Sequence, residues 1–278
     1  MENNTVISLK DENWIHLENR AVFRLTGPDR VRYLNGQVSN DVAQDLEANA
    51  IAACVCSLKG KVEALIWISS DKDSLIIDGE LSQREQLFER LDRYLIADDC
   101  ELHDITGELT LFHHFDESGP GINSRRTSTT GKDLWLAKSE RDPFDEKKRL
   151  SHASFEFVEL LAKIPKAGLE ITANEFPAEL GLDTWAVNFH KGCYLGQEVI
   201  SRIESVGRVK RALLLAESVD AVARGRDVKG IIGSNEVQGI TTRESLSNSN
   251  GRHLTLTLFK NTPAGDPVTE PVAIQILK

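Results

Sequence analysis

The stretch His190-Lys191-Gly192-Cys193-Tyr194-Leu195-Gly196-Gln197-Glu198 places one thiol among a cation, two glycines and the start of a predicted helix. A thiolate is the reactive form of cysteine, and both a neighbouring ammonium group and a helix N-terminus stabilise it. Lys191 can supply the ammonium group, and the segment from Gln197 to Glu204 can supply the helix. Glycines on both sides of the thiol permit unusual backbone angles and let a ligand come close to the main chain. The stretch therefore predicts a working thiol at Cys193.

A buried, inert thiol is the other interpretation of Cys193. Free cysteine usually packs as a small hydrophobic residue, and reactivity needs both exposure and a lowered pKa. The other cysteines, Cys54, Cys56 and Cys100, are too few and too widely spaced for a disulfide framework or a zinc site. Because Cys54 and Cys56 alternate along a strand-like run, they share a face and are predicted core thiols.

Composition limits the classes of function. The chain has 278 residues, of which 40% are hydrophobic and 27% charged, as in an ordinary globular protein of about two domains. Its net charge of −10 weighs against nucleic acid as a partner, since binding phosphates requires clustered Lys and Arg. No apolar run is long enough to span a membrane, and Met1-Glu2-Asn3-Asn4 lacks the features of a signal peptide. We therefore expect a cytoplasmic protein without a membrane partner.

The hydrophobic periodicity predicts an α+β fold. Strands are predicted at 21–25, 50–58, 61–69 and 75–77, with a hairpin at Lys59-Gly60, and helices at 28–38, 81–97, 152–163 and 197–204. The Ser-, Thr- and Gly-rich segment 116–131 breaks the periodicity and is predicted to be mobile. Alternating runs at 209–215, 236–242, 253–259 and 272–277 predict a small C-terminal β-barrel or sandwich.

Several blocks of sequence resemble the YgfZ family. The segment from Lys191 to Glu198, followed by Arg202 and by Gly207-Arg208-Val209-Lys210-Arg211, is similar to that family's signature. Residues 25–42 are similar to its opening block, Leu58-Lys59-Gly60-Lys61 to its hairpin, and 93–99 to the end of its next helix. These blocks cover most of residues 17–211, whereas 212–278 match loosely. Members of the family are folate-binding-type proteins implicated in maturation or repair of iron–sulfur enzymes, and they share a fold with the aminomethyltransferase (T-protein) of the glycine cleavage system.

The resemblance implies both an architecture and a function. It implies an aminomethyltransferase-like folate-binding fold, with antiparallel sheets and helices around a central cavity. Residues 1–205 would form the body, in two subdomains, and 206–278 a C-terminal β-barrel. The implied function is that of a tetrahydrofolate-binding accessory factor for iron–sulfur proteins, with Cys193 as the reactive residue, no resident metal, and iron–sulfur client or assembly proteins as partners. The thiolate would ligate iron or a cluster transiently, or attack a one-carbon electrophile.

The implied ligand site lies between the block from Gln37 to Asp41 and the block from Lys191 to Glu198. Its candidate binding residues are Gln37, Asn40, Asp41, Lys59, Lys191, Gly192, Tyr194, Gly196, Gln197, Glu198 and Arg202. Lys59 or Arg202 would meet the anionic tail of a folate. Glu198 and Arg202 also stand four residues apart on a predicted helix, so a pair on the surface is the other interpretation.

Departures from the resemblance leave a second function open. Where the aminomethyltransferase has a pair of aspartates, one of them catalytic, this chain has Glu63 and Ala64, which argues against aminomethyl transfer. Residues 116–132 show no counterpart of its glycine-rich pterin segment, and Lys166 stands where both branches commonly have a glutamate. A folate-dependent one-carbon transferase or demethylase is the alternative, with Glu63, Glu179 or Glu198 as its acid or base. His103, His113 and His114 are not expected to bind a metal, because adjacent histidines on a strand point to opposite faces.

Overall fold

A computed structural model describes residues 13–116, 118–207, 209–232, 235–260, 272–273 and 275–277. The predictions for residues 1–4, Arg208 and part of the run 272–277 lie outside these ranges. The helices are α1 (Arg30–Gln37), α2 (Arg84–Asp92), α3 (His152–Leu161) and α4 (Gln197–Val206). The strands are β1 (Trp14–His16), β2 (Arg20–Thr26), β3 (Asn49–Cys56), β4 (Val62–Asp71), β5 (Ser74–Glu80), β6 (Glu101–Asp104), β7 (Leu109–His114), β8 (Ile122–Ser124), β9 (Gly131–Ala137), β10 (Arg211–Ser218), β11 (Asp227–Ile232), β12 (Asn235–Thr241), β13 (Leu246–Ser247), β14 (His253–Lys260), β15 (Val272–Ala273) and β16 (Gln275–Ile276).

The first nine strands form one sheet in the order β1-β7-β9-β8-β3-β4-β5-β2-β6, antiparallel except where β3 meets β8. Its central strands are apolar on both faces, because each face is covered. Ala53 and Ile66 pack towards α1 and α2, whereas Cys54, Cys56 and Trp67 pack on the opposite side against α3 and the loops before α4. The predicted α+β class, the hairpin at Lys59-Gly60 and the shared face of the two core thiols are confirmed.

Helix α2 is shorter than predicted. A 3₁₀ helix occupies Leu81–Gln83, and α2 ends at Asp92, after which the chain turns through a hydrogen bond from Leu95 N to Asp92 O. Ile96 continues the apolar period but is 88% exposed. The prediction of a helix over 81–97 is therefore wrong at both ends, because apolar spacing continued where no partner surface exists to bury it.

The segment 116–131 is not the irregular excursion that its composition predicts. It contributes β8, which pairs with both β3 and β9, and it buries Ser124, Arg126 and Thr127. Arg126 is accommodated in the interior because its guanidinium pairs with Asp78 and Asp133 on neighbouring strands, and the Thr127 hydroxyl donates within the segment to the Thr129 carbonyl oxygen.

The C-terminal strands form a second sheet, β15-β11-β12-β14-β10-β16, with β13 alongside β14. The predicted runs 209–215, 236–242 and 253–259 appear as β10, β12 and β14, whereas β11 was not predicted. The sheet packs on the body through Leu213 and Leu256 and through a buried ion pair of Arg243 with Glu170 at 2.5 Å. The closed barrel and the domain boundary at 205–206 stay predictions.

Candidate functional site

Cys193 is the exposed thiol of this protein. It precedes α4 and lies in the turn that leads to its N-cap, Gly196. Cys54 and Cys56 are buried, and the pKa of Cys56 is raised by a hydrogen bond with Cys54 and by burial. Cys100 is half-buried, and burial together with the charge of Asp98 raises its pKa to about 11. Among the four cysteines, Cys193 is the one that a reagent or partner in solution reaches directly.

Glycine at 196 is required by close packing of two turns. Gly196 has a φ of 87°, and a Cβ atom there would come within 2.5 Å of the Ser57 carbonyl oxygen. Gly60, in the β3–β4 turn, has a φ of 71° and packs against Gly196 and the first turn of α4. The backbone of Leu195 donates to Gly36 O at 3.1 Å. The Cys193 loop, which we define as residues 190–196, is thus held against α1 and the hairpin by its main chain.

Lys191 fixes the Cys193 loop to the end of α1. Its Nζ atom donates to the carbonyl oxygens of Asn35 at 2.7 Å, Val38 at 2.9 Å and Asn40 at 2.6 Å. An ammonium group has three N–H donors, so all of them are used. Burial lowers the pKa of Lys191 to about 8, against the charge of Asp41. The structure therefore brings the two predicted blocks together, but the ammonium group binds backbone carbonyls at a helix C-terminus, where a cation is favoured.

The other polar candidates around the loop also bind protein groups. Gln37 Oε1 accepts a hydrogen bond from Arg90 at 3.1 Å, and Asn40 Nδ2 donates to Ala52 O at 2.7 Å. Asp41 Oδ1 accepts from the backbone of Ala43. Tyr194 is buried with the two core thiols, and its burial raises the pKa of the phenol.

Five further candidates lie at the surface or on α4. Lys59 and Gly192 are exposed, and Gln197 opens the helix. Glu198 and Arg202 form an ion pair at 3.1 Å with side chains that are 86% and 73% exposed. Their geometry is that of the surface pair, the second of the two interpretations made from the sequence.

A cleft of about 350 Å³ lies elsewhere, between β1, β2, β4 and α3. Its apolar lining includes Ile15, Leu65, Trp67, Phe155 and Ile164, and its charged lining includes Arg20, Glu80, Arg126, Glu159 and Lys166. None of the residues predicted to bind a ligand lines this cleft. Lys166, noted in the sequence only as a departure from the resemblance, does line it.

A buried ionic cluster supports the cleft, and sequence reasoning missed it. Arg126 donates to both carboxylate oxygens of Asp133, at 2.8 and 3.0 Å, and to both of Asp78, at 2.9 and 3.1 Å. Asp133 also contacts Nδ1 of His113 at 2.8 Å, and Arg20 Nε donates to Asp78 at 2.7 Å. We call Asp78, His113, Arg126 and Asp133 the buried ionic cluster.

Charge pairing sets the protonation of the buried ionic cluster. Burial alone would raise the pKa of Asp133, but the charge of Arg126 and the hydrogen bond with His113 hold it well below its usual range. Burial lowers the pKa of His113, against its bond to Asp133. The neighbouring His114 contacts the carbonyl of Pro120 instead, so the two histidines have separate partners. Within the described ranges, no group of three or more His, Cys, Asp or Glu side chains could hold a metal ion.

Proteins of similar sequence are named for tRNA modification and for iron-sulfur cluster assembly. No protein-family model matches the sequence. The tRNA-modifying protein YgfZ of Cronobacter sakazakii is 26% identical over 281 residues, which cover 89% of this chain and 84% of that protein. The mitochondrial iron-sulfur cluster assembly factor IBA57 homolog of Pyricularia oryzae is 25% identical over 71% of this chain, and the chain spans 55% of its length.

The fold has a solved counterpart. The crystal structure of glycine cleavage system aminomethyltransferase T from Bartonella henselae matches 91% of this chain with a TM-score of 0.73, at 12% identity, and the match covers 80% of that chain. No helix of the described ranges is long and apolar enough to cross a membrane. The resemblance indicated by the motifs is confirmed: the chain is a relative of the proteins named YgfZ and IBA57, and it has the fold of aminomethyltransferase T.

Proposed function

We propose that this protein is a tetrahydrofolate-binding accessory factor for the maturation or repair of iron–sulfur proteins, with Cys193 as its working thiol. The names of its relatives support the iron–sulfur role. The observation that carries the proposal is the exposure of Cys193 on a loop whose backbone and lysine are fixed to α1. A reactive cysteine needs access, and a stiff loop presents it in one orientation.

The position of Cys193 favours handling of iron or a cluster over attack on a bound one-carbon unit. One thiolate supplies one ligand, so the cargo would keep its other ligands on a client or assembly protein. The cleft and the Cys193 loop share no lining residue. Attack on a folate-bound electrophile would need the thiol and the ligand at one place.

The cleft supports the folate half of the proposal. A reduced folate has a flat pterin ring with a polar edge and an anionic tail. Trp67, Phe155 and Ile164 supply apolar walls, and Glu80 and Lys166 supply polar groups of both signs. When bound, a reduced folate would carry one-carbon units, while the residues of this chain would hold its ring and exclude water from it.

Neither an enzymatic role nor a nucleic-acid partner gains support from the structure. Glu63 accepts a hydrogen bond from Arg90, Glu179 accepts two from Arg211, and Glu198 is exposed. None of these three carboxylates lines the cleft, whose own carboxylates are Glu18, Glu80, Glu156 and Glu159. The YgfZ relatives are named for tRNA modification, but the net charge of −10 weighs against direct binding of RNA by this chain. Its cytoplasmic location stays a prediction.

Complementation tests the thiol. Cys193→Ala should abolish support of iron–sulfur enzymes in cells that lack their own protein of this kind, whereas Cys100→Ala, at a half-buried thiol, should retain it. Melting temperatures of both variants show whether each folds. When the native protein is alkylated with iodoacetamide, the thiol of Cys193 should react first, because Cys54 and Cys56 are buried. Normal complementation by a stable Cys193→Ala variant would remove the thiol from the mechanism.

Calorimetric titration tests the ligand. The protein should bind 5-formyltetrahydrofolate, with an affinity that falls as salt rises, because contacts to the anionic tail are screened. The titration is run at low and at high salt. If no binding is measured at either, the folate half of the proposal fails and a folate-independent role for Cys193 remains.

A further inference from the structure

The segment after α3 forms one wall of the cleft. Ile164, Pro165 and Lys166 line the cleft, and the chain continues from them to Glu170. We call residues 164–170 the wall segment. In the part of the chain that the structure describes, no helix or strand includes these residues. Since the wall segment belongs to neither a helix nor a sheet, its position depends on bonds to the elements on either side of it.

Glu170 connects the wall segment to the second sheet. Its side chain is fully buried, and its Oε2 atom accepts a hydrogen bond from the backbone of Lys166 at 3.0 Å. Its Oε1 atom accepts from Nε of Arg243 at 2.9 Å and from the hydroxyl of Thr242. Thr242 and Arg243 lie in the connection between β12 and β13. One buried carboxylate therefore joins a residue that lines the cleft to the second sheet.

Arg243 also binds the wall segment directly. Its Nη2 atom donates to the carbonyl oxygen of Ile164 at 3.1 Å, and its side chain is only 5% exposed. A planar guanidinium can bind a carboxylate and a carbonyl group at the same time, whereas an ammonium group is a compact point charge. Because breaking a buried ion pair is costly, Arg243 and Glu170 keep the wall segment against the second sheet.

The other side of the wall segment is bound to the body. Ala167 N donates to Oε1 of Glu80, at the end of β5, at 2.8 Å, and Lys166 Nζ pairs with Glu159 of α3 at 2.9 Å. Glu80 and Glu159 also line the cleft. The wall segment thus lies between the second sheet and the cleft, so a displacement of that sheet would move a wall of the cleft.

We infer that Arg243 and Glu170 are positioning residues of the cleft, through which ligand binding in the cleft is coupled to docking of the second sheet. This inference rests on the proposed folate binding and adds a means of its regulation. A ligand that contacts the wall segment binds more tightly when that segment is held in place. By linkage, the bound ligand stabilises the docked sheet by the same factor.

Arg243→Lys tests the positioning in the purified full chain. The change keeps the charge but cannot bond Glu170 and Ile164 in the same way. The affinity for 5-formyltetrahydrofolate, measured by calorimetry, should fall about tenfold, which lies within the usual range of coupling between two sites. Arg252→Lys is the matched control, because Arg252 pairs with Glu217 of β10 at 2.8 Å. It should keep the native affinity.

Hydrogen exchange distinguishes coupling from a general loss of stability. In the native protein, bound 5-formyltetrahydrofolate should slow exchange of the Thr242 amide, which donates to the Leu256 carbonyl oxygen at 2.9 Å. In Arg243→Lys, a saturating concentration of the same ligand should no longer slow this exchange. A variant that was merely less stable would still show the slowing, because a ligand that binds the native state opposes unfolding.

The result for Arg243→Lys decides the inference separately from folate binding. Native affinity in a folded variant, or full slowing of Thr242 exchange by the ligand, would overturn the inference and leave folate binding intact. If Arg243→Lys does not fold, Thr242→Val replaces it, since it removes one bond to Glu170. That variant should lose affinity by a smaller factor, and native affinity would again overturn the inference.

Failure of the native protein to bind 5-formyltetrahydrofolate would overturn the inference together with the ligand half of the proposed function, whereas the role of Cys193 would still stand.

Discussion

The Cys193 loop and the buried ionic cluster differ in exposure and in the kind of bond that holds them. The loop exposes one reactive atom and is held by main-chain hydrogen bonds and one lysine that binds carbonyl groups. The cluster buries four charged or polar side chains, which come from β5, β7, β9 and the connection between β8 and β9 and bond to one another. Backbone contacts survive most side-chain changes, whereas a buried charge depends on its partner. We therefore expect substitutions in the loop, apart from those at Lys191 and Gly196, to cost less stability than substitutions in the cluster.

The largest effect is expected from Arg126→Ala. The change leaves Asp133 buried without its cation and Asp78 with Arg20 alone, and breaking a buried pair in this way costs about 3–5 kcal/mol. Urea unfolding of the purified protein measures the loss. Arg125→Ala is the control, because Arg125 is exposed and packs its guanidinium against Trp185 at 5.1 Å. Equal losses from the two variants would show that the cluster contributes no more than a surface arginine.

A smaller loss should follow from Lys191→Met. The variant keeps the length of the side chain but leaves the carbonyls of Asn35, Val38 and Asn40 without their donor, at a cost of about 1–3 kcal/mol. Exchange of the Leu195 amide hydrogen should become faster, because the loop is then held by fewer bonds. Lys138→Met, at an exposed lysine, should change neither quantity. If Lys191→Met behaves like that control, the three hydrogen bonds do not hold the loop.

The same contrast explains how much the sequence could predict. The Cys193 loop, the Lys59-Gly60 hairpin and helix α4 are contiguous, so glycine positions and hydrophobic spacing predict them from residues side by side in the chain. Their meeting with the block at 37–41 was predicted through family resemblance, and Lys191 makes the contact. The bonding of its ammonium group to three carbonyls was not predictable, because backbone acceptors have no sequence signal.

The buried ionic cluster had almost no signal. Asp78, His113, Arg126 and Asp133 come from four separate segments, and their charges look like ordinary surface residues when taken alone. Only Arg126 carried a hint, as part of an arginine pair in a Ser- and Thr-rich stretch. The predicted length of α2 was wrong for a related reason, since Ile96 fits the helical period but has no surface to pack on.

Lowering the pH should reduce the free energy of unfolding through the buried ionic cluster. Because burial lowers the pKa of His113, the unfolded chain binds a proton below about pH 6.5 while the native state does not. The native groups that face this ring are Asp133, Arg126 and His114. The free energy of unfolding should therefore fall as pH drops below about 6.5, by at most about 1.4 kcal/mol per pH unit for this group. Asp133, whose native pKa is lowered, adds a further loss only below about pH 4.

Urea unfolding between pH 7.5 and 5.5 measures this dependence. His113→Gln should flatten it, whereas His103→Gln, at a half-exposed histidine, should leave it as in the native protein. If the free energy of unfolding of His113→Gln falls with pH as steeply as that of the native protein, the acid sensitivity arises at other groups.

The smallest effect is expected on the other side of the comparison, at the ion pair of Glu198 with Arg202 just beyond the Cys193 loop. Both side chains are mostly exposed, so solvent screens the pair, and a double-mutant cycle with Glu198→Gln and Arg202→Ala should give a coupling of about 0.2–0.5 kcal/mol. Both single variants should complement as well as the native protein, because neither residue lines the cleft or binds the loop. A stable Arg202→Ala variant that failed to complement would place this surface in the functional site after all. Arg202 would then meet a ligand or partner in solution, as the family resemblance alone implied, and the functional surface would extend from the exposed thiol along α4.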